Sequence, residues 1–220
     1  MLEEICKKYN NEIKEILDAL QYASYEDLDE YNFENEVIYP FEEKYKKDYG
    51  WNNGASKGVL IFKDMNFVIK IPFSQIDGEY LCGAEEANEE WNYCSQEENR
   101  YLLAKKYGLQ SIFLETTQIG TVKGYPIYIQ LFAEPLENIP LGYSMSTKDD
   151  KKIVEMIIAE NNFEEIDNEW EADIFAMYGG KYYHKFKNFI LENNIDDLRS
   201  SNIGYVGLYP VIFDYAGFFY

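Results

Sequence analysis

Two apolar runs, Val59-Leu60-Ile61-Phe62 and Phe67-Val68-Ile69-Lys70-Ile71, decide the fold of this 220-residue chain. A polar tetrapeptide, residues 63–66, separates them. Runs rich in β-branched and aromatic residues on both sides of a short polar turn predict an antiparallel hairpin. Pro72 follows directly, and we expect it to end the hairpin.

Outward from this hairpin, the hydrophobic spacing predicts an α+β fold with strands concentrated in the first half of the chain. We expect an amphipathic helix over 1–22 and a loop-rich, acidic surface segment over 25–48. A helix is predicted over 85–107, and Gly108 marks its end. Further strands are predicted at 112–114 and 124–132.

The last third of the chain reads as mostly helical. Thr147 and Asp150 have the spacing of a helix start. A second helix is expected over 181–193, followed by a hairpin over 204–213. The apolar stripe predicted for the helix after Thr147 consists of Ile153, Met156 and Ile157.

The composition narrows the classes of partner and compartment. The chain has 40 acidic and 20 basic residues, a formal net charge of −20, which disfavours direct binding to nucleic acid or to an anionic membrane. The charge either confers solubility alone or attracts a basic protein partner. Three widely spaced cysteines without a CxxC pair, and acidic residues at Glu3 and Glu4, predict a cytoplasmic protein without a signal peptide or membrane span.

Three features in the first half are candidates for chemistry. Gly54-Ala55-Ser56-Lys57-Gly58 precedes a strand, where its backbone and Lys57 would approach a phosphate, or where it forms an ordinary turn. Lys70 interrupts an apolar strand, so its ammonium either extends to solvent or meets phosphates and a carboxylate. Glu97 shares a helix face with Cys94, Tyr101 and Ala104, whereas Glu98 points about 100° away. Glu97 is therefore the carboxylate expected to face the sheet and pair with Lys70, the alternative being a solvated surface residue.

A fourth candidate lies near the C-terminus, in Asp197-Leu198-Arg199-Ser200-Ser201-Asn202 and in Asp214-Tyr215-Ala216-Gly217. Carboxylate and amide oxygens on a loop and after a short hairpin are ligands that suit Mg²⁺.

Taken in order, these features resemble five elements of protein kinases: a Gly-rich loop, a strand lysine, a helix glutamate, an Asp-Leu-x-x-x-Asn loop and an Asp-Phe-Gly metal motif. Phrases such as Gly-Ala-Ser-Lys57 and Val68-Ile-Lys-Ile-Pro-Phe73 are more specifically similar to small kinase-like proteins of bacteriophages and bacteria. The chain departs from the kinase pattern at Ile195-Asp196, where kinases have His-Arg, and at Tyr215 and Ala216.

The resemblance implies a two-lobed kinase-like fold: an N-terminal extension over 1–49, an antiparallel N-lobe sheet with a helix over 50–136, and a truncated helical C-lobe over 137–220. Phe132 and Ala133 would link the lobes and offer backbone groups to an adenine ring.

The same resemblance implies that ATP and Mg²⁺ are the cofactors. Gly54, Ser56 and Lys57 would contact phosphates. Lys70, held by Glu97, would also contact phosphates. Asp197 would accept a proton from an acceptor hydroxyl. The residues expected to line one cleft are Lys70, Glu97, Asp197, Asn202 and Asp214, with Asn202 and Asp214 holding the metal.

Two functions remain open from the sequence. Because the sequence ends at Tyr220, soon after the metal motif, we expect nucleotide binding rather than phosphorylation of a protein. The alternative is a non-catalytic, acidic interaction protein, for example a phage inhibitor of a host nucleic-acid-binding or defence factor.

Overall fold

The computed structural model describes residues 1–23, 33–53, 57–74, 79–80, 93–140, 142–163 and 166–215. They form two compact units of a mixed α and β fold, one comprising 1–101 with 115–132 and the other 102–114 with 133–220. The boundary falls between Phe132 and Ala133. Within the described ranges, no helix has both the length and the apolarity needed to cross a membrane.

The first unit is built on an antiparallel sheet. Its strands are β1 (Tyr49–Asn53), β2 (Lys57–Phe62), β3 (Phe67–Ser74), β4 (Glu79–Tyr80), β5 (Thr116–Val122) and β6 (Tyr125–Leu131). They are arranged in the order β1-β2-β3-β6-β5, with β4 paired to β3. The predicted hairpin is therefore confirmed as β2 and β3.

Pro72, opposite Lys57, forms the last pair of the β2–β3 ladder among the described residues, as expected, while β3 itself continues to Ser74 and pairs there with β4. The pairing of β3 with β6 stops at Lys70. Proline lacks an N–H group, but the ladder with β6 ends before Pro72, so no hydrogen bond of that ladder is lost.

One face of this sheet is apolar, since alternate residues of a strand point to the same side. Leu60, Ile69 and Ile129 lie opposite one another on this face and are fully buried. Helices α1 (Leu2–Lys8), α2 (Asn10–Ala23) and α3 (Tyr39–Tyr45) belong to the same unit. Ring contacts join this helical segment to the sheet: the Tyr9 and Phe67 centroids are 5.9 Å apart, and those of Phe41 and Phe62 are 6.2 Å apart.

Two sequence predictions fail in this helical layer. The helix expected over 1–22 is broken at Tyr9, whose φ of −108° and ψ of 28° depart from helical values. The surface loop expected over 25–48 is wrong for residues 33–48, which contain a π-helical turn (Glu34–Ile38) followed by α3. Pro40 lies in the first turn of α3, where a missing N–H breaks no helical hydrogen bond.

Helix α4 (Tyr93–Lys106) covers the second part of the helix predicted over 85–107, and residues 85–92 lie outside the described ranges. Gly108 follows it with a φ of +67°, a left-handed conformation that glycine adopts without strain. The predicted stop at Gly108 is confirmed.

The second unit contains α5 (Lys148–Asn161), α6 (Asn168–Tyr178) and α7 (Gly180–Glu192), with a small sheet of β7 (Glu134–Pro135), β8 (Ile203–Val206) and β9 (Tyr209–Ile212). The predicted start of α5 is confirmed as a capping box. The Asp150 N–H donates to Thr147 Oγ1, and the Thr147 N–H donates to the Asp150 carboxylate at 2.8 Å.

The predicted apolar stripe of α5 is wrong for Ile153 and Met156, which are 41% and 52% exposed. Its third residue, Ile157, is half-buried, and the fully buried residue of the helix is Val154. Helix α5 packs on α6, and a short helix with apolar residues on adjacent faces does not reveal from sequence which face its neighbour covers.

The strand predicted at 112–114 does not join the first sheet. Phe113 instead forms an isolated parallel bridge with Ile212 of β9. The Leu114 N–H donates to the Ile212 carbonyl at 3.0 Å, and the Ile212 N–H donates to the Ile112 carbonyl at 2.8 Å. This segment therefore belongs to the second unit.

Gly204 in β8 is required by a close approach of backbone. A Cβ atom there would lie 2.0 Å from the Glu134 carbonyl oxygen. The Gly204 carbonyl also accepts a hydrogen bond from the Trp170 indole at 3.1 Å, so the strand cannot shift without losing this bond.

We predict that Gly204→Ala lowers the free energy of unfolding by about 1–3 kcal/mol or more, the usual range for overpacking. Gly50→Ala is the control, because its Cβ would meet its nearest neighbour, Ile61, at an ordinary 3.5 Å. Urea denaturation of both variants measures the difference. Equal stability of the two would contradict the close packing of β8 on β7.

Candidate functional site

The second face of the first sheet carries buried polar residues. Val59 pairs with Lys70, which places Lys57 and Lys70 on one face. Val68 pairs with Gln130, which in turn pairs with Thr116, so these two polar residues share that face. All four are buried, at 6% exposed or less. Buried polar groups of this kind require partners, because an unpaired one costs free energy.

Glu97 of α4 is the partner of both lysines. Its side chain has no exposed surface. Lys70 Nζ lies 2.5 Å from Glu97 Oε2, and Lys57 Nζ binds Glu97 Oε1. The predicted pairing of Glu97 with Lys70 is confirmed, and Lys70, only 3% exposed, does not extend to solvent. Glu98 instead accepts a hydrogen bond from the Gln118 N–H at 3.4 Å, in an exposed position.

The geometry adds an unexpected contact for Lys57. The sequence predicted that it would supply charge to the Gly-rich loop, yet its ammonium binds the helix carboxylate. Gly54 and Ser56, the other loop residues predicted to contact phosphate, lie outside the described residues. The sequence alone does not reveal this contact. Lys57 lies thirteen positions before Lys70, and only the pairing register of β2 with β3 shows that the two side chains share a face of the sheet.

Thr116 and Gln130 form the rest of the cluster, and sequence analysis missed both. Gln130 Nε2 donates to Thr116 Oγ1 at 2.7 Å, and Thr116 Oγ1 donates to Glu97 Oε2 at 3.3 Å. Because the hydroxyl oxygen accepts from the amide, its proton is directed towards the carboxylate. A glutamine in the otherwise apolar strand β6 was the available sequence signal.

We predict that the two lysines are coupled in their effect on stability. Lys57→Met or Lys70→Met alone leaves Glu97 with one ammonium partner and should cost about 1–2 kcal/mol. The double variant leaves a buried carboxylate without either lysine and should cost about 3–5 kcal/mol or more, exceeding the sum of the single changes. Chemical denaturation of the four proteins measures the coupling.

Adding Glu97→Gln to the double variant should restore part of the lost stability, because the amide carries no charge. Lys14→Met, at an exposed position, controls for the change in net charge. Strictly additive losses would show that the lysines do not share Glu97.

In the second unit, one loop brings together two of the predicted C-terminal residues. Asn202 Nδ2 donates to the Asp197 backbone carbonyl at 2.7 Å and to Asp197 Oδ2 at 3.0 Å. Asp214 lies beside them, since its N–H donates to the Asn202 carbonyl at 3.2 Å. Asp197, Asn202 and Asp214 therefore lie close together through side-chain and backbone contacts. Ala216 and Gly217, the end of the predicted metal motif, lie outside the described residues.

Arg199 is a residue of this loop that the sequence analysis did not single out. Its Nε atom donates to Asp197 Oδ1 at 2.6 Å, while Asn202 occupies Oδ2. This hydrogen bond, with the charge of Asp197, raises the pKa of Arg199 above its ordinary value. Both oxygens of the Asp197 carboxylate thus have donors within its own loop.

The donor chemistry of this loop fits Mg²⁺ in one respect. Asn202 turns its amide nitrogen to Asp197, and its amide oxygen, Oδ1, accepts a long hydrogen bond of 3.4 Å from Ser201 Oγ, which a cation would have to share or replace. Mg²⁺ is usually held by one or two such groups together with waters and phosphate oxygens. The described residues contain no group of three or more His, Cys, Asp and Glu side chains that would hold a metal by themselves.

Phe132 and Ala133, predicted to contact an adenine ring, stand on either side of the unit boundary. The Phe132 N–H donates to the Asn66 carbonyl at 3.1 Å, and Lys63 Nζ lies 5.2 Å from the centre of its ring. Ala133 is buried. The Phe132 N–H is therefore engaged within its own unit.

A second buried ion pair, also missed from sequence, joins α6 and α7. Lys187 Nζ and the Tyr183 hydroxyl donate to Glu171 at 2.6 and 2.5 Å. Burial raises the pKa of Glu171, and the two donors oppose that rise. Lys187 falls on the helix face of Tyr183 and Ile190, four and three residues away, which was its sequence signal. This pair links α6 to α7 and includes none of the predicted site residues.

No protein-family model matches the chain, and no curated protein resembles it in sequence.

Proposed function

We propose that this chain is a kinase-like protein that binds Mg-ATP. The observation that carries the proposal is the buried pair of Lys70 and Glu97, 2.5 Å apart. Burying an ion pair rarely increases stability over an apolar alternative, so its presence in a sheet calls for another reason. Contact with phosphate oxygens, as the resemblance to protein kinases implies, is such a reason.

The proposed roles come from the resemblance to protein kinases, and contacts within each unit support them. Lys70, oriented by Glu97, would contact phosphate oxygens. Asn202 and Asp214 would hold Mg²⁺ through an amide oxygen and a carboxylate. Bound Mg²⁺ would neutralise phosphate charge, so the chain's own residues need only position the nucleotide.

Whether a phosphoryl group is transferred depends on Asp197. In the proposed role it accepts a proton from the acceptor hydroxyl. Its two carboxylate oxygens already accept hydrogen bonds from Arg199 and Asn202. Each oxygen has a second lone pair, so the acceptor hydroxyl would share Oδ1 or Oδ2 with one of these donors, whereas nucleotide binding makes no such demand.

We predict that Mg-ATP at about 100 times its dissociation constant stabilises the folded protein by about 2.7 kcal/mol. For a chain of this size the melting temperature should rise by roughly 5–10 °C. Lys70→Met removes a phosphate contact and Asp214→Asn a metal ligand, so each should reduce the rise. Thermal melts with and without Mg-ATP measure it.

The matched control for the helix carboxylate is its neighbour. Glu97→Gln should reduce the Mg-ATP shift more than Glu98→Gln, which changes charge equally but leaves both lysines paired. Equal effects of the two variants would show that the position of Glu97 on the sheet-facing side of α4 is not important for binding. If millimolar Mg-ATP does not raise the melting temperature of the folded wild-type protein, the proposed function is wrong.

The net charge of −20 supports a second candidate, the acidic interaction protein with a basic partner. Charge complementarity would give that complex a strong dependence on salt, because surface charges are screened over about 10 Å at 0.1 M. Salt-sensitive binding to a basic protein, together with a melting temperature that Mg-ATP does not change, would favour this candidate.

A further inference from the structure

The carboxylate of Glu97 keeps a partner on each oxygen even without Lys70. Oε1 binds the Lys57 ammonium, and Oε2 accepts from Thr116 Oγ1 at 3.3 Å as well as from Lys70. Gln130 holds the Thr116 hydroxyl in the required orientation through its 2.7 Å hydrogen bond. If a buried carboxylate has a single cation partner, departure of that cation leaves an unpaired negative charge in the interior, which is strongly destabilising.

We propose that Lys57 is a positioning residue for phosphate binding, one that allows Lys70 to move its ammonium from Glu97 to a phosphate. Lys57 acts on Glu97 and does not contact the ligand. The inference rests on the proposed function and specifies how the same site engages the polyphosphate part of its ligand.

The burial of the cluster supports this division of roles. Lys57, Lys70 and Glu97 are each 6% exposed or less, so a change of partner takes place where water offers little replacement solvation. The Lys57 bond to Oε1 and the Thr116 bond to Oε2 remain when Lys70 turns away. In a Lys57→Met protein Glu97 would hold Lys70 as its remaining ammonium partner among the described residues, and the phosphate would compete with a buried carboxylate.

A double-mutant cycle on binding separates this role from two others. The dissociation constants of Mg-ATP and of inorganic tripolyphosphate are measured by calorimetry for wild type, Lys57→Met, Glu97→Gln and the double variant. Lys57→Met should weaken both ligands about tenfold, corresponding to ~1.4 kcal/mol. In the Glu97→Gln background the same change should have no further effect, because there is no carboxylate charge to hold Lys70.

Each other outcome overturns the proposal. A tenfold loss from Lys57→Met in both backgrounds would mean that Lys57 touches the phosphates directly. An unchanged dissociation constant in a folded Lys57→Met protein would mean that Lys57 is only structural. Lys14→Met changes the net charge equally at an exposed site and should leave the dissociation constants of both ligands unchanged. If Lys14→Met also weakened binding tenfold, the effect of Lys57→Met would be due to net charge.

The two ligands distinguish failure of this inference from failure of the proposed function. Binding of tripolyphosphate without binding of Mg-ATP would reject nucleotide binding, and the cycle on tripolyphosphate would still decide the role of Lys57. If wild type binds neither ligand, both the proposed function and the role of Lys57 are wrong. If Lys57→Met does not fold, Thr116→Val replaces it, with the same expected loss in the wild-type background only.

Discussion

The buried carboxylate of Glu97 is the constraint on which the first unit depends. A charge without exposed surface is stable only with ionic and hydrogen-bonding partners, and here the sheet supplies them from three of its strands. The positions of those partners fix the register of β2 against β3 and the rotation of α4. The opposite face of the sheet needs only apolar contacts, which the N-terminal helices provide.

The cluster also contrasts with the charge of the whole molecule. The chain carries −20 overall, while the cluster of Lys57, Lys70 and Glu97 consists of two cations and one anion. An anionic nucleotide would meet repulsion at long range and the net positive charge of this cluster at short range. Salt screens the first effect more than the second, because buried charges are less exposed to ions. Raising the ionic strength would therefore weaken the repulsion more than the local attraction.

Much of the local structure follows from the sequence, because short periods encode it. The β2–β3 hairpin and the orientation of Glu97 relative to Glu98 depend on spacings of two and 3.6 residues, which are visible within a few positions. The contact of Asp197 with Asn202 likewise lies within one loop. The contact of Lys57 with Glu97 spans forty positions and depends on strand register, so local patterns cannot reveal it. The burial of Val154 rather than Ile153 or Met156 depends on which face α6 covers, which is also non-local.

The most direct test of the account is paramagnetic NMR with Mn²⁺-ATP in place of Mg-ATP, compared with Mn²⁺ alone as a control for loose binding to acidic surface residues. Mn²⁺ broadens the amide signals of residues near the bound metal. The account predicts ATP-dependent loss of the Asn202 and Asp214 signals in wild type, and retention of the signals of Asn202 and residue 214 in Asp214→Asn. Retention of these signals in wild type, with broadening confined to exposed acidic helices, would contradict it.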